Sequence, residues 1–425
     1  MTLASRLSGR MYYGWVVVGV TALTVLVAAG VRAAPAVLIH PLEEDFGWAR
    51  ASISLTASIG LFLYGISSPI SGAIIDRYGP RWLMLGGISL VGASTILSAT
   101  VTELWQLHLL WGFFSGIGTG LAAAVLAATV ATRWFVKRRG FVVGLLGASV
   151  SAGNLVFVPL LMWLFVRFGW QSGVLILGVI LLSLLPMIWL LMRDSPRDVG
   201  ARVRDDEPEH PELASTENTR PGRVMATAIR VPEFWLLSAT FFICGATSNG
   251  IIGTHLIPHS IDIGIREVTA ASIIGIMGAM NFVGTIGSGI LTDRYDPRKL
   301  LAMYYILRGL SLFLLPFVAG FWGLVIFAIV FGLDYIATVP PTVALTADIF
   351  GRERVGTVYG WIFLAHQSGA GAAAYLGGYS RDALGDYQLA FLAAGGLAIA
   401  GGLMALCIFR RGAPERELDV VPART

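Results

Sequence analysis

Three charged residues fall well inside long apolar stretches of the sequence: Arg32, Arg308 and Asp334. A charged side chain at the centre of a lipid bilayer costs about 2.5–3.5 kcal/mol on insertion scales, so each of the three needs a reason to be there. An arginine can hold an anionic group through its paired N–H donors, and an aspartate can pair with an arginine or take up a proton. These residue types indicate binding and ion pairing within a membrane.

Arg308 and Asp334 lie in consecutive apolar stretches at comparable depth. At 1.5 Å per residue, Arg308 lies roughly 13 Å and Asp334 roughly 18 Å from the same membrane face. Because consecutive antiparallel helices are usually neighbours, the sequence predicts an ion pair between them. The pair could serve only to hold two helices together. Alternatively, Asp334 could be a proton site whose protonation frees Arg308, or Arg308 could meet a substrate.

Arg32 lies about six residues from the end of the first apolar stretch, and two interpretations of it stay open. Its guanidinium could reach the membrane interface at the end of its aliphatic stem. It could instead face an internal cavity, where its positive charge suits an anionic substrate. The Ala33-Ala34-Pro35 segment that follows should bend or loosen the helix and give the guanidinium room.

Histidine and amide side chains inside the apolar stretches complete the candidate substrate or proton pathway. A histidine titrates in the physiological range and can carry a proton together with a carboxylate, although a lone histidine in a helix more often serves packing or hydrogen bonding. Buried amides usually pair across helices, and any of them could also bond to a substrate. The candidates are Asn249, His255, Asn281, His366 and Gln367.

Metal, cofactor and disulfide chemistry are not predicted. His255 and His259 are four residues apart, which would suit a metal, but Asp262 is the only carboxylate near them. Cys244 and Cys407 both lie within apolar runs and are expected to be small buried hydrophobic residues.

The composition excludes a water-soluble enzyme. Of 425 residues, 56% are hydrophobic and 13% are charged, whereas a soluble domain carries about 25% charged residues. Twelve apolar stretches are long enough to cross a bilayer as helices, which pair their backbone groups internally. We therefore predict an all-α membrane protein with twelve transmembrane helices. The stretches cover residues 13–38, 51–75, 82–101, 105–131, 140–165, 171–192, 233–258, 269–291, 300–319, 321–346, 354–377 and 386–409.

The chain contains an internal repeat. Residues 72–81 (GAIIDRYGPR) follow the second span and residues 289–298 (GILTDRYDPR) follow the eighth, at an offset of 217 residues. An offset of six spans keeps the two halves in the same orientation, which predicts two parallel six-helix bundles with a substrate site between them. The predicted units are residues 1–192, a linker at 193–231 and residues 232–425.

The basic residues predict the orientation of the chain in the membrane. Of the 30 Lys and Arg residues, 24 lie in the tails, the linker and the loops after even-numbered spans. The opposite loops hold four, namely Arg50, Arg167, Arg266 and Arg381. Both termini and the linker are therefore predicted to be cytoplasmic. The net charge of +4 reflects this topology and does not indicate a nucleic-acid patch.

The repeated G-x-x-x-D-R-x-G-x-R segment resembles the signature loop of the major facilitator superfamily. With twelve spans, a central linker and parallel halves, the resemblance covers nearly the whole chain and implies a secondary active transporter, not an enzyme. In that family the loop helps to hold the cytoplasmic side closed. The second copy departs from the pattern at Asp296, where the family has glycine. By resemblance, the gating residues are Asp76, Arg77, Arg81, Asp293, Arg294 and Arg298.

Three aromatic segments resemble the monocarboxylate transporter and oxalate:formate antiporter branch of that superfamily. They are Tyr13-Gly14-Trp15, Phe46-Gly47-Trp48 and Trp134-Phe135. Two departures argue against oxalate, because the eighth span carries no charge and the eleventh has His366-Gln367 where the oxalate exchanger has a lysine. The resemblance implies that a small organic anion, a monocarboxylate, crosses a bacterial inner membrane with a proton or by exchange.

Two alternatives stay open. A proton-coupled exporter of drugs or other amphiphilic compounds usually needs an acidic residue in its cavity, whereas an anion carrier should retain an arginine there. The intramembrane charges, two arginines against one aspartate, favour the anion. The second alternative is a membrane sensor that uses the fold only for binding. We expect a monomer that contacts the bilayer, its small-molecule substrate and protons, with no nucleic-acid partner and no cofactor.

Overall fold

The computed structural model describes residues 12–121, 126, 129–130, 133–135, 139–199, 221–318, 320–351 and 354–409. The secondary structure of these residues is helical, with no β-strand among them. Nine helices in this part of the chain are long and apolar enough to cross a bilayer. The predicted all-α membrane fold is confirmed, since described helices occupy each of the twelve predicted spans.

Helices α1 to α6 form the first half of the chain. Helix α1 continues through Pro35 and Pro41, and α4 contains a π-helical segment, His108–Phe114. Their bounds are Gly14–Phe46 for α1, Arg50–Tyr78 for α2, Pro80–Ser98 for α3, Leu104–Leu107, His108–Phe114 and Ser115–Leu121 for α4, Arg139–Phe168 for α5 and Trp170–Leu191 for α6.

Helices α7 to α12 form the second half, after a short helix at Pro221–Ala228. Helix α7 contains a π-helical segment, Ala246–Ile252, and α10 is interrupted between Asp334 and Val339. Both irregularities recur at the site below. The bounds are Pro232–Gly245, Ala246–Ile252 and Gly253–Asp262 for α7, Glu267–Thr292 for α8, Pro297–Leu314 for α9, Gly320–Asp334 and Val339–Phe350 for α10, Val355–Leu384 for α11 and Gln388–Leu406 for α12.

The two halves meet through three helix pairs: α1 with α7, α2 with α11 and α5 with α8. Glycines allow the close approach of α11 to α2. A Cβ at Gly371 would lie 2.9 Å from the carbonyl oxygen of Ser58, and a Cβ at Gly378 would lie 2.9 Å from the Cα of Ala51. Small residues of this kind let helix backbones pack closely in a membrane, where apolar burial alone does not drive helices together.

Candidate functional site

A cavity lies between the two halves. Its walls come from α1, α2, α4 and α5 of the first half and from α7, α8 and α10 of the second. The cavity volume is ≈ 100 Å³, well below the roughly 300–1,000 Å³ of pockets that hold drug-sized ligands. Its polar lining residues are Arg32, Thr56, Tyr64, Ser115, Thr119, Asn154, Asn249, Thr254, Asn281 and Tyr335.

Arg32 brings a positive charge to the cavity wall. Its guanidinium carbon lies 5.4 Å from the centroid of the Tyr64 ring, within the range of a cation–π contact. Among the residues that the structure describes, the Arg32 guanidinium has no ion-pair partner and no hydrogen-bond partner. An arginine whose donors are unused beside a cavity is suited to bind a carboxylate. Of the two interpretations from the sequence, the geometry favours the cavity-facing one.

Asn249 and Tyr335 form a hydrogen-bonded pair in the wall supplied by the second half. The Tyr335 hydroxyl donates to Asn249 Oδ1 at 2.8 Å. Asn249 lies in the π-helical segment of α7, and Tyr335 is the first residue of the interruption in α10. Irregular helical turns of this kind are frequent at functional sites, where they turn side chains out of the regular helical register. The pair therefore depends on two local departures from α-helix.

Asn281 connects the cavity to the packing of the two halves. Its Nδ2 donates to Ser151 Oγ at 3.2 Å, and its Oδ1 accepts from Thr285 Oγ1 at 3.2 Å. Ser151 lies on α5 and the other two residues lie on α8, so the bond crosses from one half to the other. Both ends of the Asn281 amide are thus engaged at the cavity wall.

Arg308 and Asp334 form the ion pair that their depths in the sequence predicted. Arg308 Nε lies 2.6 Å from Asp334 Oδ2, and the Arg308 side chain has no exposed surface. Neither residue lines the cavity. Asp334 Oδ1 has no hydrogen-bond partner in the described part of the chain. The pair lies behind the wall that carries Tyr335.

The two histidine candidates and Gln367 lie in helix packing outside the cavity lining. The His255 ring nitrogens lie 2.7 Å from the Ala374 carbonyl oxygen and 3.2 Å from the Tyr387 hydroxyl. His366 packs against two aromatic rings of α7 and α11. Within the described residues, His366 Nδ1 and Gln367 Oε1 are buried without a hydrogen-bond partner. A role for these residues in substrate or proton binding stays a prediction.

A set of polar side chains joins the two halves at the face predicted to lie outside the cell. The sequence analysis used Arg50 and Arg381 to orient the chain and did not predict their contacts. A signal that could have pointed to these contacts is that few charged residues lie in the loops of this face, so each of them calls for a partner. We call the following residues the outer cluster: Glu43, Arg50, Asp262, Arg381, Asp382 and Tyr387.

Arg50 is the centre of the outer cluster. It is 5% exposed, and its Nη2 lies 2.5 Å from Glu43 Oε2 in its own half. Its Nη1 reaches the other half, at 2.7 Å from Asp262 Oδ2 and 3.0 Å from the Tyr387 hydroxyl. Burial raises the pKa of Tyr387 against the opposing effect of Arg50, so its hydroxyl stays protonated. Arg50 therefore ties the two halves together.

Asp382 and Arg381 complete the outer cluster from α11. Asp382 Oδ2 accepts from the backbone N–H of Ala51 at 2.7 Å, and its Oδ1 accepts from that of Arg50 at 3.2 Å. A carboxylate at the first N–H groups of a helix is stabilised there by the helix dipole. Arg381 Nε lies 2.9 Å from Asp262 Oδ2.

The described polar contacts of the two repeated loops are to their own halves and, from Arg81, to Asp194 at the start of the linker. Arg81 donates from Nη2 to the Trp189 carbonyl oxygen at 2.7 Å, and Arg298 Nη2 lies 2.7 Å from Asp296 Oδ2. Arg77, Asp293 and Arg294 are exposed, and the side chain of Asp76 lies outside the described residues. A gating role for these loops stays a prediction.

The departure of the second loop from the repeated pattern has a physical reason. Gly79 has φ +83°, and a Cβ there would lie 2.5 Å from the Asp194 carboxyl carbon. Asp194 Oδ1 accepts from the Arg81 backbone N–H at 2.8 Å, so α3 is capped by a remote carboxylate. In the second loop, Asp296 has φ −61° and its own carboxylate accepts from the Arg298 N–H at 3.0 Å. One aspartate thus replaces a glycine and a distant cap.

Comparisons with known proteins place the chain among transporters. The family model described as Major Facilitator Superfamily matches residues 21–307 and 242–421. Monocarboxylate transporter 13 of Rattus norvegicus is 27% identical over 92% of this chain and 87% of its own length. Monocarboxylate transporter 2 of Homo sapiens is 22% identical over 93% of this chain and 85% of its own length. The uncharacterized MFS-type transporter YcxA of Bacillus subtilis is 26% identical over 82% of this chain and 84% of its own length.

Solved structures share the fold. A bacterial homolog of the human lysosomal transporter Spinster, in an inward-facing and unoccupied conformation, superposes with a TM-score of 0.73 at 17% identity. The match covers 94% of this chain and 97% of that chain.

Proposed function

The chain belongs to the Major Facilitator Superfamily and is a multi-pass membrane transporter, and we propose that it carries a small organic anion, a monocarboxylate. The observation that carries the proposal is the Arg32 guanidinium, which has no hydrogen-bond or ion-pair partner among the described residues and lies in the wall of a cavity of ≈ 100 Å³. One cationic group suits one carboxylate, and the small volume suits an anion of few heavy atoms. The monocarboxylate transporters among its relatives support the same substrate class.

An exporter of drugs or other amphiphilic compounds is less well supported. The described lining of the cavity contains Arg32 and no Asp or Glu. A cationic amphiphile would therefore meet a positive charge in a space too small for a drug-sized molecule. We retain this exporter as an outcome of the transport experiment below.

For the transport cycle, we propose that residues 1–192 and 232–425 move as two bundles joined by the linker at 193–231. The outer cluster supports closure at the predicted outer face, because Arg50 and Asp382 join α2 to the second half. Breaking these contacts would open the cavity to the predicted outer face. The loops that carry Asp76 and Asp293 are proposed to close the opposite side.

A proton is the proposed coupling ion, with exchange of one anion for another as the alternative. Asp334 is a candidate proton site because its Oδ1 is buried without a described hydrogen-bond partner. His366 is a second candidate for the same reason at Nδ1. We further propose that the protein is a monomer of a bacterial inner membrane with both termini in the cytoplasm, as the Lys and Arg distribution predicts.

Uptake by proteoliposomes tests the substrate class. Purified protein is reconstituted and offered radiolabelled acetate, pyruvate, lactate and benzoate, with and without an inward proton gradient. We expect at least one monocarboxylate to accumulate, and Arg32→Gln to lower its uptake about 100-fold. Arg167→Gln is the matched control, because Arg167 is an exposed arginine at the end of α5 that does not line the cavity. Failure to accumulate any carboxylate, together with expulsion of a cationic dye, would replace the anion carrier with the exporter.

A further inference from the structure

Helix α10 is interrupted over residues 335–338, just ahead of two consecutive prolines. Pro340 and Pro341 have no backbone N–H, so the carbonyl groups four residues earlier cannot be paired in the usual helical way. The chain turns here with shorter-range bonds, from Ala337 N to Asp334 O at 3.1 Å and from Val339 N to Ile336 O at 2.9 Å. The helix resumes at Val339 with both prolines in its first turn.

Three carbonyl groups at the interruption accept hydrogen bonds from side chains of neighbouring helices, those of Asp334, Tyr335 and Ala337. Ser288 of α8 donates to the Ala337 carbonyl oxygen at 2.5 Å. Arg308 of α9 donates from Nη2 to the Asp334 carbonyl oxygen at 2.8 Å and to the Tyr335 carbonyl oxygen at 3.2 Å. Buried carbonyl groups without such partners would be costly in an apolar interior. Arg308 is therefore part of what makes the interruption possible.

The other nitrogen of the same guanidinium reaches α7. Arg308 Nη1 lies 3.0 Å from Cys244 Sγ and 3.4 Å from Thr247 Oγ1. Thr247 belongs to the π-helical segment that carries Asn249, two residues further along. One buried side chain thus contacts both irregular segments whose residues, Asn249 and Tyr335, form the hydrogen-bonded pair of the cavity wall.

We propose that Arg308 is a positioning residue, which holds the interruption of α10 against the π-helical segment of α7 and so sets the Tyr335–Asn249 pair toward the substrate. The proposal rests on the proposed function, because it takes the cavity as the substrate site. It goes beyond an ion pair between α9 and α10. A lysine could neutralise Asp334 equally well, but its single nitrogen cannot serve the two carbonyl oxygens, the carboxylate and α7 from one planar fork.

Arg308→Lys therefore separates the two roles. Amide hydrogen exchange in the peptide that contains residues 334–340 measures the interruption directly and needs no substrate. We expect exchange there to become about tenfold faster in Arg308→Lys, the equivalent of about one lost hydrogen bond. Tyr305→Phe is the matched control, because it keeps the ring beside Arg308 and removes only a bond from α9 to the Thr240 carbonyl oxygen. Exchange in this peptide should be unchanged in the control.

Uptake of radiolabelled pyruvate measures the consequence for the site. Arg308→Lys should raise KM about tenfold and change kcat little, as expected for the loss of one orienting hydrogen bond. A double-mutant cycle with Tyr335→Phe identifies the route, because residues that act through one another are not additive. In the Tyr335→Phe background, Arg308→Lys should raise KM by less than about twofold.

Each outcome decides the proposal. Faster exchange with a KM effect that disappears in the Tyr335→Phe background supports it. Unchanged exchange in Arg308→Lys overturns it, and so does a KM effect of full size in the Tyr335→Phe background. If the wild-type protein accumulates no pyruvate or other carboxylate of the panel, the proposed function fails, and hydrogen exchange alone decides whether Arg308 holds the interruption.

Discussion

The surroundings of Arg32 and Arg308 differ, although both are arginines inside the membrane. Arg308 is fully buried and uses its guanidinium donors on Asp334, on backbone carbonyl groups and on α7. Arg32 contacts the Tyr64 ring at the cavity and has no described acceptor. A guanidinium whose donors are all engaged by protein groups belongs to the helix packing, whereas one with no described acceptor beside a cavity is available to a ligand. We therefore expect the same residue type to hold helices together in one region and to bind the substrate in the other.

Removing the charge of Arg308, which is paired with Asp334, should have the largest effect on stability. Arg308→Met leaves Asp334 buried without its partner, which lowers the free energy of unfolding by about 3–5 kcal/mol. Equilibrium unfolding in mixed micelles with increasing SDS measures the change. The double variant Arg308→Met/Asp334→Leu should recover the part of the loss that comes from the unpaired carboxylate, but not the part that comes from the lost bonds to the Asp334 and Tyr335 carbonyl oxygens. If Arg308→Met is as stable as the wild-type protein, Arg308 does not hold these helices together.

Removing the charge of Arg32 should lower transport and leave stability unchanged. Arg32→Gln should lower carboxylate uptake by about 100-fold, equivalent to about 2.7 kcal/mol, because a charge-assisted pair with the substrate is lost. The melting temperature in detergent should stay within about 2 °C of the wild-type value, since no described hydrogen bond or ion pair of Arg32 is broken and only its cation–π contact with Tyr64 is lost. If the Arg32→Gln variant melts far below the wild-type protein, Arg32 also stabilises the fold.

The outer cluster allows a test of whether Arg50, an arginine engaged in ion pairs, also takes part in closing the predicted outer face. Arg50→Gln should weaken closure of the predicted outer face and speed labelling of Thr254→Cys in the cavity by a membrane-impermeant maleimide about tenfold. Arg381→Gln is the graded control, because Arg381 makes one contact to Asp262 and is 32% exposed. It should speed labelling by less than Arg50→Gln. Equal rates in the wild-type protein and in Arg50→Gln would contradict closure by this cluster.

The smallest expected effect concerns the second cavity wall. Tyr335→Phe removes only the hydroxyl that donates to Asn249. The loss of one neutral hydrogen bond, about 1 kcal/mol, should raise KM about fivefold. Melting should be unaffected, and Tyr305→Phe should leave KM at the wild-type value. A Tyr335→Phe variant with wild-type KM would confine substrate binding to the Arg32 side.

The parts of the fold that follow from position along one helix could be predicted from the sequence. Apolar length predicted the helices, and depth in the bilayer was enough to place Arg308 beside Asp334. The Lys and Arg distribution predicts the orientation of the chain in the membrane, and the repeat predicts two parallel halves. Neither predicts which side of a helix packs against which neighbouring helix. The two loops of the repeat could be aligned, but the substitution of Asp296 for a distant cap needed the structure.

Features that depend on how two helices face each other could not be predicted. Tyr64 lies under Arg32 only because α2 packs with that face inward, and one tyrosine in an apolar stretch looks like any other. Pro340 and Pro341 predict a break in α10, but its position at 335–338 needed the structure, because the lost N–H groups affect carbonyl groups earlier in the chain. The Arg50–Asp262 contact joins residues 212 positions apart and depends on the arrangement of the two halves.

The central claim, that Arg32 binds a carboxylate, is tested most directly by ligand-induced thermal stabilisation of purified protein. Lactate and its uncharged amide, lactamide, differ in the group that Arg32 would bind and have nearly the same size. Lactate at saturating concentration should raise the melting temperature of the wild-type protein, and lactamide should not, because only binding to the folded state stabilises it. In Arg32→Gln the difference between the two ligands should vanish. A variant that still prefers lactate over lactamide as strongly as the wild-type protein would contradict the claim.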